Sequence, residues 1–344
     1  MSESQDKIAP PTVTAVQGYG LGYSLYLHST AWLLRKAVQQ VSGNGGTIDK
    51  FINVDTLGLG EGHVKVAICI PKGHKKEVSH SKPFPLLLVA EGGGFVLGQP
   101  TDGEHIIRPL SDDLGTVVVS VEYAKSPRYP YPHALLQLVQ VLRWATSPDF
   151  EAALGVSIDA SRVALMGNSA GGNLSTALSL LLSFTSGACA EFRKGLPDSL
   201  QLVAQVLLYP SVACNKPYLD RYNAGEAVVR ADSLPVWAAT LMEASYLPPG
   251  IDTAQIFIAP LDADVELLTT LKPPPVLCLT AGKDCLKYEA NAYTDKLREA
   301  GVEVSTHEYA NAVHGFSHHK KDYEEDRKDC WEKVTQFLRQ KFES

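Results

Sequence analysis

The sequence predicts an α/β fold, with a mostly parallel central sheet and helices on both of its faces. Three observations carry this. Leu86 to Ala90 and Val117 to Val121 are apolar runs, interrupted only by Ser120, as strands are when helices cover both faces of a sheet. Such runs alternate with helical segments, as between Ala134 and Ala145, where Leu135, Leu138, Val139 and Leu142 share one face. The apolar run Val163 to Met166 leads into Gly167-Asn168-Ser169-Ala170-Gly171 and then a helix carrying Leu174, Ala177, Leu178 and Leu181 at i, i+3, i+4 and i+7. With 344 residues, 45% of them hydrophobic, the chain can bury a large core as one domain, with or without a lid.

In chain order, a polar, Pro-containing start and a Gly- and Tyr-rich stretch, Gln17 to Tyr26, precede a helix from Ala31 to Val41 with Leu34, Ala37, Val38 and Val41 on one face. Ser42 to Gly46 is a turn cluster. His63 to Ile70 alternates, with Val64, Val66, Ile68 and Ile70 facing one way, and fits an early antiparallel strand. The loop from Lys72 to Lys82 is polar, basic and solvated. Further strands are expected at Leu202 to Tyr209, Val276 to Ala281 and Val302 to Tyr309, and further helices at Glu289 to Ala300 and Tyr323 to Phe342. Between Pro210 and Pro260 the rhythm breaks into Tyr- and Trp-containing stretches, as an insertion after a central strand does when it lies over a pocket.

A net charge of -7 argues against nucleic acid or an anionic membrane as partner and favours a small-molecule substrate. Six scattered cysteines without a C-x-x-C pair read as buried thiols in a reducing compartment. The first residues lack a signal-peptide pattern and no stretch approaches a membrane span, so the expected location is cytoplasmic. Oligomeric state is open, a homodimer included.

Gly-x-Ser-x-Gly at a strand-to-helix turn lifts a serine hydroxyl clear of the backbone and makes Ser169 the candidate nucleophile. A serine needs a base, and His314, on a loop after the last strand, is the best placed of ten histidines. Asp284 follows the strand Val276 to Ala281. The order Ser169, Asp284, His314, each just past a strand, is that of nucleophile, acid and base in α/β-hydrolases. Asp262 and Asp264 read as turn or cap residues, Glu289 as a helix residue, His105 and His133 as structural, and His318 and His319 as solvated members of a charged run without a metal-ligand pattern. Glu91-Gly92-Gly93-Gly94-Phe95 offers consecutive backbone amides for an oxyanion, and its spacing fails the dinucleotide pattern. No cofactor and no metal is required.

With these pieces in place, the chain from about Phe84 to its C-terminus resembles the hormone-sensitive-lipase-like branch of the α/β-hydrolases, which includes plant carboxylesterases. The family's His-Gly-Gly-Gly-Phe corresponds to Glu91 to Phe95, its Asp-Tyr-Arg-Leu-Ala-Pro-Glu to Glu122 to Arg128, its Gly-Asp-Ser-Ala-Gly-Gly to Gly167 to Gly172, and its His-Gly-Phe to His314 to Phe316. The resemblance implies an α/β-hydrolase fold, oxyanion donors at Gly93, Gly94 and Ala170, and a helical cap. The domain plan is then cap helices in 1–48 and a catalytic domain in 49–344, with a cap insertion at 211–258.

Glu91 and Asn168 modify the family loop. An ionised Glu91 about 6 Å from the oxyanion, at an effective dielectric near 20, would oppose it by about 3 kcal/mol, roughly a hundredfold in rate. Either Glu91 turns away into a hydrogen-bonded or protonated environment, or the neutral Asn168 offsets it, the two changes forming one linked exchange. The expected function is a serine hydrolase of carboxylesterase type that cleaves a small apolar ester through an acyl-enzyme on Ser169. Two alternatives keep the fold: condensation, cyclisation or acyl transfer in specialised metabolism, and a non-catalytic small-molecule receptor.

Overall fold

The computed structural model describes residues 3–15, 17–40, 42–72, 82–319 and 321–344. Val41 and most of the basic loop after Lys72 lie outside the described residues. Among them runs one eight-stranded sheet: β1 (Lys50–Asp55), β2 (His63–Cys69), β3 (Phe84–Ala90), β4 (Val117–Val121), β5 (Ile158–Asn168), β6 (Leu202–Leu208), β7 (Val276–Ala281) and β8 (Val304–Tyr309). Their spatial order is β1-β2-β4-β3-β5-β6-β7-β8, and β2 pairs antiparallel with both β1 and β4 while the remaining pairs are parallel. The helices are α1 (Glu3–Asp6), α2 (Leu21–Gln39), α3 (Glu104–Leu114), α4 (His133–Ala145), α5 (Pro148–Leu154), α6 (Ala170–Ser183), α7 (Tyr218–Ala224), α8 (Ala227–Arg230), α9 (Val236–Tyr246), α10 (Val265–Leu271), α11 (Leu286–Glu299) and α12 (Glu324–Glu343).

The two-residue period of a strand divides the core between two layers. In β3, Leu86, Leu88 and Ala90 join α4, α6, α10 and α11 in one apolar cluster, whereas Leu87 and Val89 join α3 and α12 in the other. All seven residues of β3 and all five of β4 are buried, as expected for strands covered on both faces. Between β6 and β7, α7 and α9 meet the start of α11 through a small separate cluster of Tyr218, Ala239 and Leu286. No helix among the described residues is long and apolar enough to cross a membrane.

The structure shifts one expected helix and adds elements, β1 and α3 among them, that the sequence reading did not assign. The N-terminal helix begins at Leu21, within the Gly- and Tyr-rich stretch, and buries Leu27 and Ala31 while Ala37 is exposed. Arg35 anchors it, with its guanidinium donating to the Val96 carbonyl at 2.7 Å and to that of Ser126. Strand β1 buries only Val54, too little to stand out as an apolar run. Helix α3 carries Pro109 in its interior, a residue that reads as a helix breaker, yet Ile106, Ile107 and Leu110 still pack it onto the sheet.

One buried charge stands out. The Lys125 Nζ lies 3.2 Å from the centroid of the Tyr123 ring and has no hydrogen-bond acceptor among the described residues. Burial lowers its pKa from 10.5 to about 7. Between those two values the unfolded chain holds a proton that the folded chain has released, so stability rises with pH across this window, by at most about 1.4 kcal/mol per unit. Below it the cost of charging Lys125 is fully present. Lys125→Leu should therefore stabilise the protein at pH 6 and flatten the rise above pH 7 in urea unfolding. Parallel wild-type and variant curves would contradict this.

Candidate active site

Ser169 stands at the carboxyl end of β5 with φ 53° and ψ -120°, a left-handed backbone that costs a non-glycine residue about 1–3 kcal/mol. Its neighbours hold it there. Its N–H donates to the Leu208 carbonyl at 2.9 Å, and its own carbonyl accepts from Asn173 N–H at 3.1 Å and Ser211 N–H at 3.2 Å. The flanking glycines are required by close approach: a Cβ at Gly167 would lie 2.1 Å from the Gly171 carbonyl oxygen, and one at Gly171 would lie 1.9 Å from that of Ala90.

The loops after β7 and β8 bring Asp284 and His314 to this turn. The Asp284 Oδ2 lies 2.6 Å from His314 Nδ1, and His314 Nε2 lies 2.9 Å from Ser169 Oγ. Asp284 is fully buried, and its Oδ1 accepts from Leu286 N–H at 3.1 Å. An ionised carboxylate only accepts, so Nδ1 carries the ring proton and Nε2 offers its lone pair to the serine hydroxyl. The Tyr209 ring braces His314 edge-on, with 4.9 Å between centroids. Chemically this is a serine beside a base whose tautomer is fixed.

Gly93 and Gly94 adopt φ 111° and 60°, conformations open to glycine. Among the described residues neither N–H has a protein acceptor, and the Ala170 N–H opens α6, where the first amides lack intrahelical partners. All three residues line the same cavity as Ser169 and His314. Asn168 clamps the loop, its Oδ1 accepting the Gly92 N–H at 2.9 Å.

Glu91 turns away from this cavity. Its carboxylate is buried 3.3 Å from the Nε2 of His318. Strand parity explains the direction, because Glu91 continues the series Leu87, Val89 toward α3 and α12. His318 is the clearest correction to the sequence expectation, since it is neither solvated nor idle. Its side chain is only 19% exposed, and its Nδ1 lies 3.0 Å from both the Tyr209 hydroxyl and the Ser317 Oγ. His319, by contrast, is half-buried and 3.7 Å from Asp322, so the imidazoles at 314, 318 and 319 face three different carboxylates. Asp264 caps α10, and His133 accepts from Gly60 N–H at 3.1 Å. Asp262 lies in a short 3-10 turn, where its Oδ2 accepts from the Asn215 amide at 2.5 Å.

The cavity measures about 230 Å³ and is walled by Phe95, Leu234, Met242, Tyr246, Leu247 and Leu286. Tyr246 stacks on Phe95 with 3.6 Å between centroids. Sequence reasoning missed the polar part of this wall: Arg221 of α7 bridges Glu289, at 2.6 Å, and Glu243, at 2.5 Å. Burial raises the Glu243 pKa, opposed by the Arg221 charge. A larger groove of about 490 Å³ between α3 and α12 contains none of Ser169, Asp284 and His314. All six cysteines are buried and unpaired, and burial pushes the Cys69, Cys189, Cys214 and Cys278 thiols up to about 12.

Comparison with known proteins gives a consistent picture. A family model described as the alpha/beta hydrolase fold matches residues 87–318. The carboxylesterase NlhH of Mycobacterium tuberculosis is 28% identical over 239 residues, covering 68% of this chain and 66% of that enzyme. The arylesterase of Saccharolobus solfataricus is 31% identical over 233 residues, covering 67% of this chain and 68% of its own length. The chain thus spans about two thirds of the length of these curated relatives, and just under that of the mycobacterial one. Among solved structures, the thermostable carboxylesterase EstE1 from a metagenomic library is 26% identical, with a TM-score of 0.71 over 91% of this chain and 97% of that one.

The Asn168 clamp makes a prediction about Ser169 chemistry. Asn168→Ala strands the Gly92 N–H, and the rate at which a fluorophosphonate labels Ser169 should fall about tenfold, the worth of one hydrogen bond. Asn168→Asp, which keeps the acceptor, should label within about threefold of wild type. Equal rates in all three proteins would contradict the clamp.

Proposed function

The chain belongs to the α/β-hydrolase family whose model covers two thirds of it, and on that premise we propose that it is a serine carboxylesterase acting on small apolar esters. The observation that carries this reading is the continuous hydrogen-bonded line from Asp284 through His314 to Ser169, which opens into an apolar cavity.

In this mechanism the Ser169 Oγ attacks the ester carbonyl while His314 Nε2 takes its proton. Asp284 stabilises the imidazolium that results. The N–H groups of Gly93, Gly94 and Ala170 hold the tetrahedral oxyanion, a contribution of about 3–4 kcal/mol for each effective donor. His314 then protonates the leaving alcohol. Water, activated by the same imidazole, attacks the acyl-enzyme and releases the acid, and the proton returns to Ser169.

The cap assignment rests on α7 and α9, whose residues Tyr218, Arg221, Ala239, Met242, Glu243 and Tyr246 line the cavity beside Ser169. A cavity of about 230 Å³ suits a short acyl or aryl group. Unpaired, buried cysteines suit a cytoplasmic setting. The carboxylate that motivated a condensation or acyl-transfer reading lies against His318, outside the cavity, which supports ordinary oxyanion chemistry at the loop.

The test is turnover of a p-nitrophenyl ester series by wild type and three variants. Ser169→Ala and His314→Ala should lower kcat by about 10⁴–10⁶, and Asp284→Asn by about 10⁴. Rates should fall once the acyl chain outgrows the cavity. A wild-type protein that turns over none of the esters, or a Ser169→Ala variant that retains full activity, would overturn the assignment.

A further inference from the structure

The loop that carries the oxyanion donors and the loop that carries the base leave different strands, yet both must hold their atoms in register with Ser169. The geometry points to Glu91 and His318 as the clamp that joins them: positioning residues that lock the oxyanion loop to the His314 loop. This rests on the reading of the site as an acyl-transfer site.

Glu91 immediately precedes Gly92 to Gly94, and its carbonyl is fixed by the Tyr123 hydroxyl at 2.7 Å. Its side chain leaves the loop on the opposite side from the cavity and ends 3.3 Å from His318 Nε2. His318 follows His314 by four residues, in the short turn Phe316–His318. Its other nitrogen lies 3.0 Å from the Tyr209 hydroxyl, and that hydroxyl lies 2.7 Å from Ser317 Oγ. Tyr209 in turn presses its ring against His314. The donor and acceptor assignments close consistently. With the ring proton on Nε2, which faces the Glu91 carboxylate at 3.3 Å, Nδ1 accepts from the Tyr209 O–H, and Ser317 O–H donates to the Tyr209 oxygen.

Trp331 of α12 fixes the ensemble from outside, packing edge-on against His318 at 5.8 Å and donating its indole N–H to the Ser317 carbonyl at 3.1 Å. Behind the Ser169–His314–Asp284 line there is thus a second carboxylate–imidazole–hydroxyl line, Glu91–His318–Tyr209. Its ends touch the oxyanion loop and the ring of the base. The histidine that the family's loop carries at position 91 is replaced by a carboxylate, and the imidazole comes from the facing loop.

The experiment combines a double-mutant cycle with hydrogen exchange on the full chain. Glu91→Leu and His318→Phe should each lower kcat by about tenfold to a hundredfold, with KM within about threefold, the signature of misplaced groups in the transition state. The double variant should be no slower than the worse single one. The inverted pair, Glu91→His with His318→Glu, should regain at least about tenfold, which keeps the test open if one single variant fails to fold. In each single variant, amides in residues 91–98 and 310–319 should exchange faster together. Additive losses, an inverted pair without recovery, or unchanged exchange in the two loops would overturn the clamp. Exchange that responds as expected in a protein whose wild type neither hydrolyses esters nor labels at Ser169 would leave the clamp standing and remove the esterase reading instead.

Discussion

The backbone at Ser169 is the constraint on which the rest depends. A left-handed conformation at a serine is unfavourable by itself and survives because β3 and β6 pair in parallel with β5 on either side. The glycines at 167 and 171 then let α6 approach the sheet, where a Cβ at Gly171 would collide with the Ala90 carbonyl. From that one turn follow the projection of the hydroxyl, the placement of the Ala170 amide at a helix N-terminus, and the direction in which β7 and β8 must deliver Asp284 and His314. The apolar parallel core is in this sense the support of the site, since it holds strain where chemistry needs it.

Electrostatics decides how the unusual loop is tolerated. A carboxylate beside an oxyanion would oppose the reaction, but the pleat sends the Glu91 side chain through to the α3 and α12 side of the sheet. There it meets an imidazole instead of substrate. The neutral Asn168 accepts the Gly92 amide without bringing a second carboxylate close to Glu91. The same logic governs the cavity wall, where Arg221 lies between two carboxylates, with Val212 and Ala213 amides completing the shell of Glu289.

Much of this was legible in the sequence because the decisive signals are local. Strand β7 appears at its expected bounds, and Ser169, Asp284 and His314 meet from positions 115 and 30 residues apart, each marked by the strand before it. What sequence reasoning missed depends on contacts between distant segments. Strand β1 takes its identity from pairing with β2, and α3 forms despite Pro109 because its apolar face is covered. His318 sits in a polar run, and only the fold shows Glu91 opposite it. A signal was nonetheless present. The parity of Leu87, Val89 and Glu91 places the carboxylate on the buried side, where it needs a donor, and a histidine four residues past the base was available.

The central claim is that Gly93, Gly94 and Ala170 present their amides to an oxyanion on Ser169 while Glu91 remains on His318. A crystal structure of the protein with an alkylboronic acid tests it most directly, because boron bonded to the serine oxygen mimics the tetrahedral intermediate. The account predicts a bond to Ser169 Oγ, one boronate oxygen at about 2.7–3.1 Å from those three amides, and the Glu91 carboxylate still against His318. A boronate oxygen turned away from the glycine loop, or a Glu91 carboxylate swung into the cavity, would contradict it.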